Sequence, residues 1–155
     1  MSNFPRSILL VCLGNICRSP TAHAVLQQMA QTKGIPLEID SAGTGDWHIG
    51  HPPDERATQT ASTRGYDLSP LRARQVIIED FYKYDLILAM DHSNLRNLKK
   101  LAPADATAQV ELFLPYGDSN TQEVPDPYFG GTDGFTHVLD LIETASENIL
   151  ARYKG

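Results

Sequence analysis

VCLGNICRSP, Val11–Pro20, is the stretch whose reading decides the fold. It begins inside a short apolar run, Ser7–Leu13 (SILLVCL), that lacks polar alternation. Such a run predicts a strand covered on both faces, as in a parallel sheet. Ser19 and Pro20 then read as a helix start, with Ser as the N-cap and Pro at the first helical position. Ala22, Val25, Leu26, Met29 and Ala30 follow on one helical stripe, and Gly34 with Pro36 ends it. A strand is thus joined to a helix by a very short loop.

The same alternation continues along the chain. Leu37–Ser41, Asp85–Met90 and Gln109–Leu114 read as further strands. Asp54–Arg64 reads as a helix stopped by Gly65, and Ser93–Leu101 as another carrying Leu95, Leu98 and Leu101. Phe135, Val138, Leu139, Ile142, Ala145, Ile149 and Leu150 repeat at three and four and predict a long final helix. Between them, Pro115–Gly134 is a polar stretch containing Pro125-Asp126-Pro127. The expectation is a doubly wound α/β fold: a four-stranded parallel sheet with helices on both faces and a phosphate loop between the first strand and first helix. Ligands of such sheets sit at the carboxyl ends of strands, where Cys12–Ser19 lies.

Composition narrows the function classes. The chain has 155 residues, which suits a single domain over 1–155. A core of that size buries roughly 70% of the unfolded surface, so no disulfide scaffold is needed. Its two cysteines and the absence of a signal-like apolar segment make a reducing cytoplasm the expected setting. The longest apolar run, Ile8–Leu13, is far short of the ~18 residues of a membrane span, so no membrane partner is expected. A net charge of -6 without a Lys/Arg block argues against nucleic acid. Phosphate recognition would require a local, built site.

The loop supplies one. Five residues, Leu13, Gly14, Asn15, Ile16 and Cys17, separate Cys12 from Arg18. Gly14 tolerates positive φ and Asn15 visits the left-handed region readily, so the backbone can curl and turn its N–H groups inward as an anion nest at a helix N-terminus. Arg18 adds a planar bidentate donor. A cysteine at the bottom of that cup, in positive surroundings, is favoured as the nucleophilic thiolate. Opposite it, the leaving oxygen needs a proton, and Asp126, held between two prolines, is the candidate donor.

These residues resemble the low-molecular-weight protein tyrosine phosphatase family. CLGNICRS matches its C-x5-R-[ST] loop, and DSAGTGDW (Asp40–Trp47), ARQV (Ala73–Val76), LAMDHSNL (Leu88–Leu95) and PDPYFGG (Pro125–Gly131) follow in the family's order. The resemblance implies hydrolysis of phosphotyrosine or small aryl phosphates through a phosphocysteine, without metal or cofactor, with phosphate or another oxyanion as inhibitor. It implies Cys12 as nucleophile, Arg18 as phosphate clamp, Asp126 as general acid and base, and Ser19 as hydroxyl donor to the Cys12 sulfur. Asn15, Ser41 and Asp91 are implied as supports behind the loop, and Trp47, Tyr128 and Phe129 as aromatic walls of the entrance. One departure is visible: where the family has a histidine whose ring holds the loop asparagine, this chain has Leu71.

Other readings carry less of the pattern. An arsenate reductase on the same fold is the alternative, but the internal-cysteine version needs cysteines beyond Cys17, and none follows. A phosphate-dependent binding module would have no use for nucleophile, clamp and acid together. The histidines show no metal-ligand spacing with the cysteines, and no Gly-Lys-Ser/Thr follows the loop, which excludes a nucleotide-binding P-loop. Cys17 reads as a packing residue or as a disulfide partner protecting Cys12 under peroxide.

Overall fold

The structure is a computed structural model describing residues 4–127 and 132–153. In chain order its elements are β1 (Ser7–Cys12), α1 (Arg18–Lys33), β2 (Glu38–Gly43), α2 (Glu55–Ser62), α3 (Asp80–Lys83), β3 (Leu86–Ala89), α4 (His92–Leu101), β4 (Gln109–Leu112), α5 (Phe113–Tyr116) and α6 (Thr132–Ala151). The four strands form one parallel sheet in the order β2-β1-β3-β4. Because β1 is central, all six of its residues are buried, as the unbroken apolar run requires.

Successive β1 side chains point to opposite faces and feed two cores. Ile8, Leu10 and Cys12 join Val25 and Leu26 of α1 and Val138, Leu139 and Ile142 of α6. Leu9 and Val11 join Ile87, Phe81, Tyr84 and Leu98 on the side of α3 and α4. Each large aliphatic side chain so buried contributes ~1.5–3 kcal/mol relative to exposure. The expected fold, with helices on both faces, is the one observed. No helix among the described residues is long and apolar enough to cross a membrane.

Four local expectations are corrected. Ser19 is not the N-cap of α1; that position is Cys17, and the Ser19 side chain turns to the Cys12 sulfur instead. The fourth strand stops at Leu112, because Phe113–Tyr116 makes a helical turn that buries Phe113 and Leu114. Leu101 lies at the end of α4 with its side chain exposed, so the apolar stripe there ends at Leu98. Finally, Gly14 is not among the residues with positive φ; Asn15 alone takes that conformation in the loop, at φ 56°.

The chain runs from β1 to β2 on one side and later to β3 on the other. The crevice between β1 and β3 is therefore the point where strand order reverses, and the carboxyl ends there belong to Cys12 and Ala89.

Candidate active site

The loop between β1 and α1 is shaped by where its carbonyls go. The Cys12 carbonyl accepts from Thr44 N–H at 3.0 Å, Leu13 from Gly45 at 2.9 Å, and Ile16 from Asp54 at 2.7 Å. In a trans peptide the following N–H points the opposite way, so these bonds turn the amides of Leu13, Gly14 and Cys17 away from the scaffold. Close approach is required on both sides. A Cβ on Gly43 would lie 2.7 Å from the Leu13 carbonyl oxygen, and one on Gly14 would lie 3.0 Å from Cδ2 of His48. Gly14 thus makes room for an imidazole rather than supplying a left-handed turn.

At the base of the cup, Cys12 Sγ accepts from the Asn15 N–H at 3.3 Å and lies 3.0 Å from Ser19 Oγ. Asn15 Nδ2 donates to the same Ser19 oxygen at 2.8 Å. The Ser19 hydroxyl has two acceptors within reach, the Cys12 sulfur at 3.0 Å and Ala42 O at 3.5 Å, and the shorter contact is to the sulfur. Asn15 Oδ1 in turn accepts from the Arg74 N–H at 3.0 Å. Both ends of the asparagine amide are therefore engaged without a histidine at position 71, where Leu71 packs against the apolar core.

Arg18 is buried at the start of α1 and is fixed from a distant part of the chain. Its Nη1 donates to Asp91 Oδ2 at 2.7 Å and to Val124 O at 3.1 Å. Asp91 caps α4, its other oxygen accepting from Asn94 N–H at 2.7 Å. Burial pulls the Arg18 pKa down, but the Cys12 sulfur and Asp91 outweigh it and the net shift is upward. Val124 N–H donates to Met90 O at 2.8 Å, hooking the Pro125–Asp126–Pro127 segment onto the end of β3. This brings Asp126 Oδ2 to 3.9 Å from Arg18 Nη2, with its side chain 45% exposed.

Leu13 and Trp47 are exposed at the rim, Trp47 by 66%, and Ile16 lies partly buried in the loop. Ser41 is buried, with its hydroxyl 3.0 Å from Nδ1 of His23 on α1. Tyr128 and Phe129 lie outside the described residues. Cys17 is buried, and that burial, with Asp54 and the Cys12 sulfur adding to it, pushes its thiol pKa up. Both cysteines are free, with no disulfide between them. His48, Gly43 and Arg74 were not selected from the sequence. The last two sit inside the quoted DSAGTGDW and ARQV segments, which was the available signal.

Cys12, Arg18 and Asp126 line one cavity of about 260 Å³, together with Leu13, Gly14, Ile16, Cys17, Trp47 and His48. A thiol, a guanidinium and a carboxyl group around one space at the end of a helix have the chemistry to hold a tetrahedral oxyanion. Among the described residues, no group of three or more His, Cys, Asp or Glu side chains is placed to hold a metal ion.

The model of the family described as low molecular weight phosphotyrosine protein phosphatase matches residues 7–154. The low molecular weight protein-tyrosine-phosphatase YfkJ of Bacillus subtilis is 42% identical over 94% of each chain. A crystal structure of a protein tyrosine phosphatase from Entamoeba histolytica, with Hepes in its active site, superposes with a TM-score of 0.89 at 37% identity, over 96% of each chain. The Drosophila arginine phosphatase DARP superposes with a TM-score of 0.90 at 32% identity, over 96% of this chain and 98% of its own. On these grounds, the chain belongs to the low-molecular-weight phosphotyrosine protein phosphatase family and is a hydrolase of that class.

Proposed function

We propose that the protein hydrolyses phosphotyrosine, and small aryl phosphates, in two steps through a phosphate ester on Cys12. The observation that carries this reading is the convergence of Cys12, Arg18 and Asp126 on one cavity. In the first step the Cys12 thiolate attacks phosphorus, the bond from phosphorus to the phenolic oxygen breaks, and Asp126 gives that oxygen a proton. In the second, water attacks the phosphorus, its proton passes to the Asp126 carboxylate, the P–S bond breaks, and phosphate leaves. Arg18 and the amides of Leu13, Gly14 and Cys17 hold the equatorial oxygens in both steps. The Asn15 N–H and Ser19 hydroxyl support the negative sulfur both as attacking and as leaving group.

Substrate class follows from the rim. Leu13, Ile16 and Trp47 present apolar surface around the cup, which suits a flat ring above a phosphate. Inorganic phosphate and related oxyanions compete for the same cup, as Hepes occupies the site of the Entamoeba relative.

The test is trapping. After incubation with an aryl phosphate and rapid quenching, mass spectrometry should find phosphate on Cys12, and Cys12→Ser should lose ~10⁴-fold or more in kcat. Retained turnover in Cys12→Ser would overturn the mechanism. Because one structural relative is an arginine phosphatase, matched phosphotyrosine and phosphoarginine peptides should be compared; preference for phosphoarginine would overturn the substrate reading.

A further inference from the structure

Behind the loop, outside the cavity, lies a second cluster of charge centred on Arg74. Its Nε donates to Asp40 Oδ2 at 3.1 Å, while Nη1 and Nη2 donate to Asp80 Oδ2 and Oδ1 at 3.0 and 3.1 Å. The carboxylates come from different elements, Asp40 from β2 and Asp80 from α3. Asp80 is buried and also accepts from Ile77 N–H at 2.9 Å; Asp40 accepts from Ser41 N–H at 2.8 Å. A planar guanidinium can meet one carboxylate with two parallel bonds and a second through Nε–H, which a lysine ammonium cannot do.

This bridge lies beside an extended segment that touches the loop. Arg74 O accepts from Gly43 N–H at 2.8 Å, and Val76 N–H donates to Gly43 O at 2.9 Å, so Gln75 pairs with Gly43 in parallel. Just ahead of those bonds in the chain, the Arg74 N–H donates to Asn15 Oδ1. Asn15 holds a left-handed conformation, and both ends of its side-chain amide are engaged there. From Asn15 the contacts run through Ser19 to the Cys12 sulfur.

We infer that Arg74 is a positioning residue for the reaction: by bridging Asp40 and Asp80 it fixes its own backbone N–H, and through Asn15 and Ser19 it holds the Cys12 sulfur in line with the bound phosphate. The inference rests on the reading of Cys12 as nucleophile. It also accounts for Leu71, since the asparagine is oriented from the Arg74 backbone and needs no imidazole. Burial opposes the Arg74 charge, but Asp80 and Asp40 raise its pKa, consistent with a permanently charged bridge.

A double-mutant cycle between Arg74 and Asn15 tests it, with kcat, KM and melting temperature measured for each variant on an aryl phosphate. Arg74→Met and Asn15→Ala should each lower kcat by ~10-fold or more, as misplacement of a reacting group does, with KM changed by less than ~3-fold. The double variant should fall within ~3-fold of the lower single, because both changes cut one chain of contacts. Arg74→Lys should lie between Arg74→Met and wild type. Arg72→Met should keep wild-type kcat, since that guanidinium donates to the Ser69 and Leu71 carbonyls on the surface. If Arg74→Met does not melt cooperatively, Asp80→Asn replaces it in the cycle with the same expectation. Losses that multiply in the double variant, kcat within ~2-fold of wild type in folded Arg74 or Asp80 variants, or an equal loss in Arg72→Met would overturn the inference. Phosphate trapped on Cys12 in wild type alongside any of those results overturns the positioning role alone. An active wild type without trapped phosphate overturns the reading beneath it.

Discussion

The two sides of the cavity are built differently. On one side, the carbonyls of the loop after β1 are tied to residues 44, 45 and 54, and the buried Asn15 and Ser19 are hydrogen-bonded through their side chains. On the other, the Pro125–Asp126–Pro127 lip is anchored through Val124 and leaves the Asp126 carboxyl nearly half exposed. The difference corresponds to what each side does in the proposed reaction. Equatorial oxygens carry charge in both steps, so the donors facing them gain from being fixed in advance. Asp126 must give a proton to one group and take one from another, which requires access to the leaving oxygen and then to water.

If that division is right, changes on the two sides will differ in how they depend on substrate. Arg18→Lys should lose ~10³-fold in kcat, to a similar extent for every aryl phosphate, because a single ammonium cannot replace the fork that meets both the substrate and Asp91. Steady-state rates over a series of phenols of graded acidity check this. Asp126→Asn should lose ~10²-fold with a phenol that leaves poorly, and progressively less as the phenol becomes more acidic. A substrate-independent loss in Asp126→Asn would erase the contrast between loop and lip.

The smallest effect concerns the support behind the loop. Burial lowers the His23 pKa below its ordinary 6.5, with Asp40 and a hydrogen bond to Gln27 opposing. The unfolded chain therefore takes up that proton first as pH falls. The stability contributed by neutral His23 is complete above about 6.5 and declines as pH drops through the depressed folded value. Melting temperature should fall by a few degrees between pH ~7 and ~5, and His23→Gln, which keeps a hydrogen-bonding group near Ser41, should flatten that slope. An identical slope in the variant would remove His23 from the account.

Much of the site was legible because its chemistry is local. Cys12, Gly14, Asn15, Arg18 and Ser19 lie within one short stretch, and a strand followed at once by a helix fixes their mutual placement within a turn. Asp126 was legible for its flanking prolines and its position after the last strand. The cap reading of Ser19 failed because a serine before a proline has the local form of a helix cap, while a sulfur at the end of β1, the partner the family resemblance implied, competes for its hydroxyl. His48 was missed because it meets Gly14 only through a fold of the segment after β2.

What the sequence determined by itself was therefore the central buried strand, the loop after it, and the spacing from Cys12 to Arg18, all set by steric and hydrogen-bonding rules that act over a few residues. Tertiary structure alone decided which groups close the site from outside. The order β2-β1-β3-β4 puts residues 43–45 and 74 on one side of the loop and 90–91 and 124 on the other. From there come the partners of Arg18, the amide that orients Asn15, and the glycine that lets the loop lie flat against β2. Those pairings join residues far apart in the chain, and only the packed sheet brings them within hydrogen-bond reach.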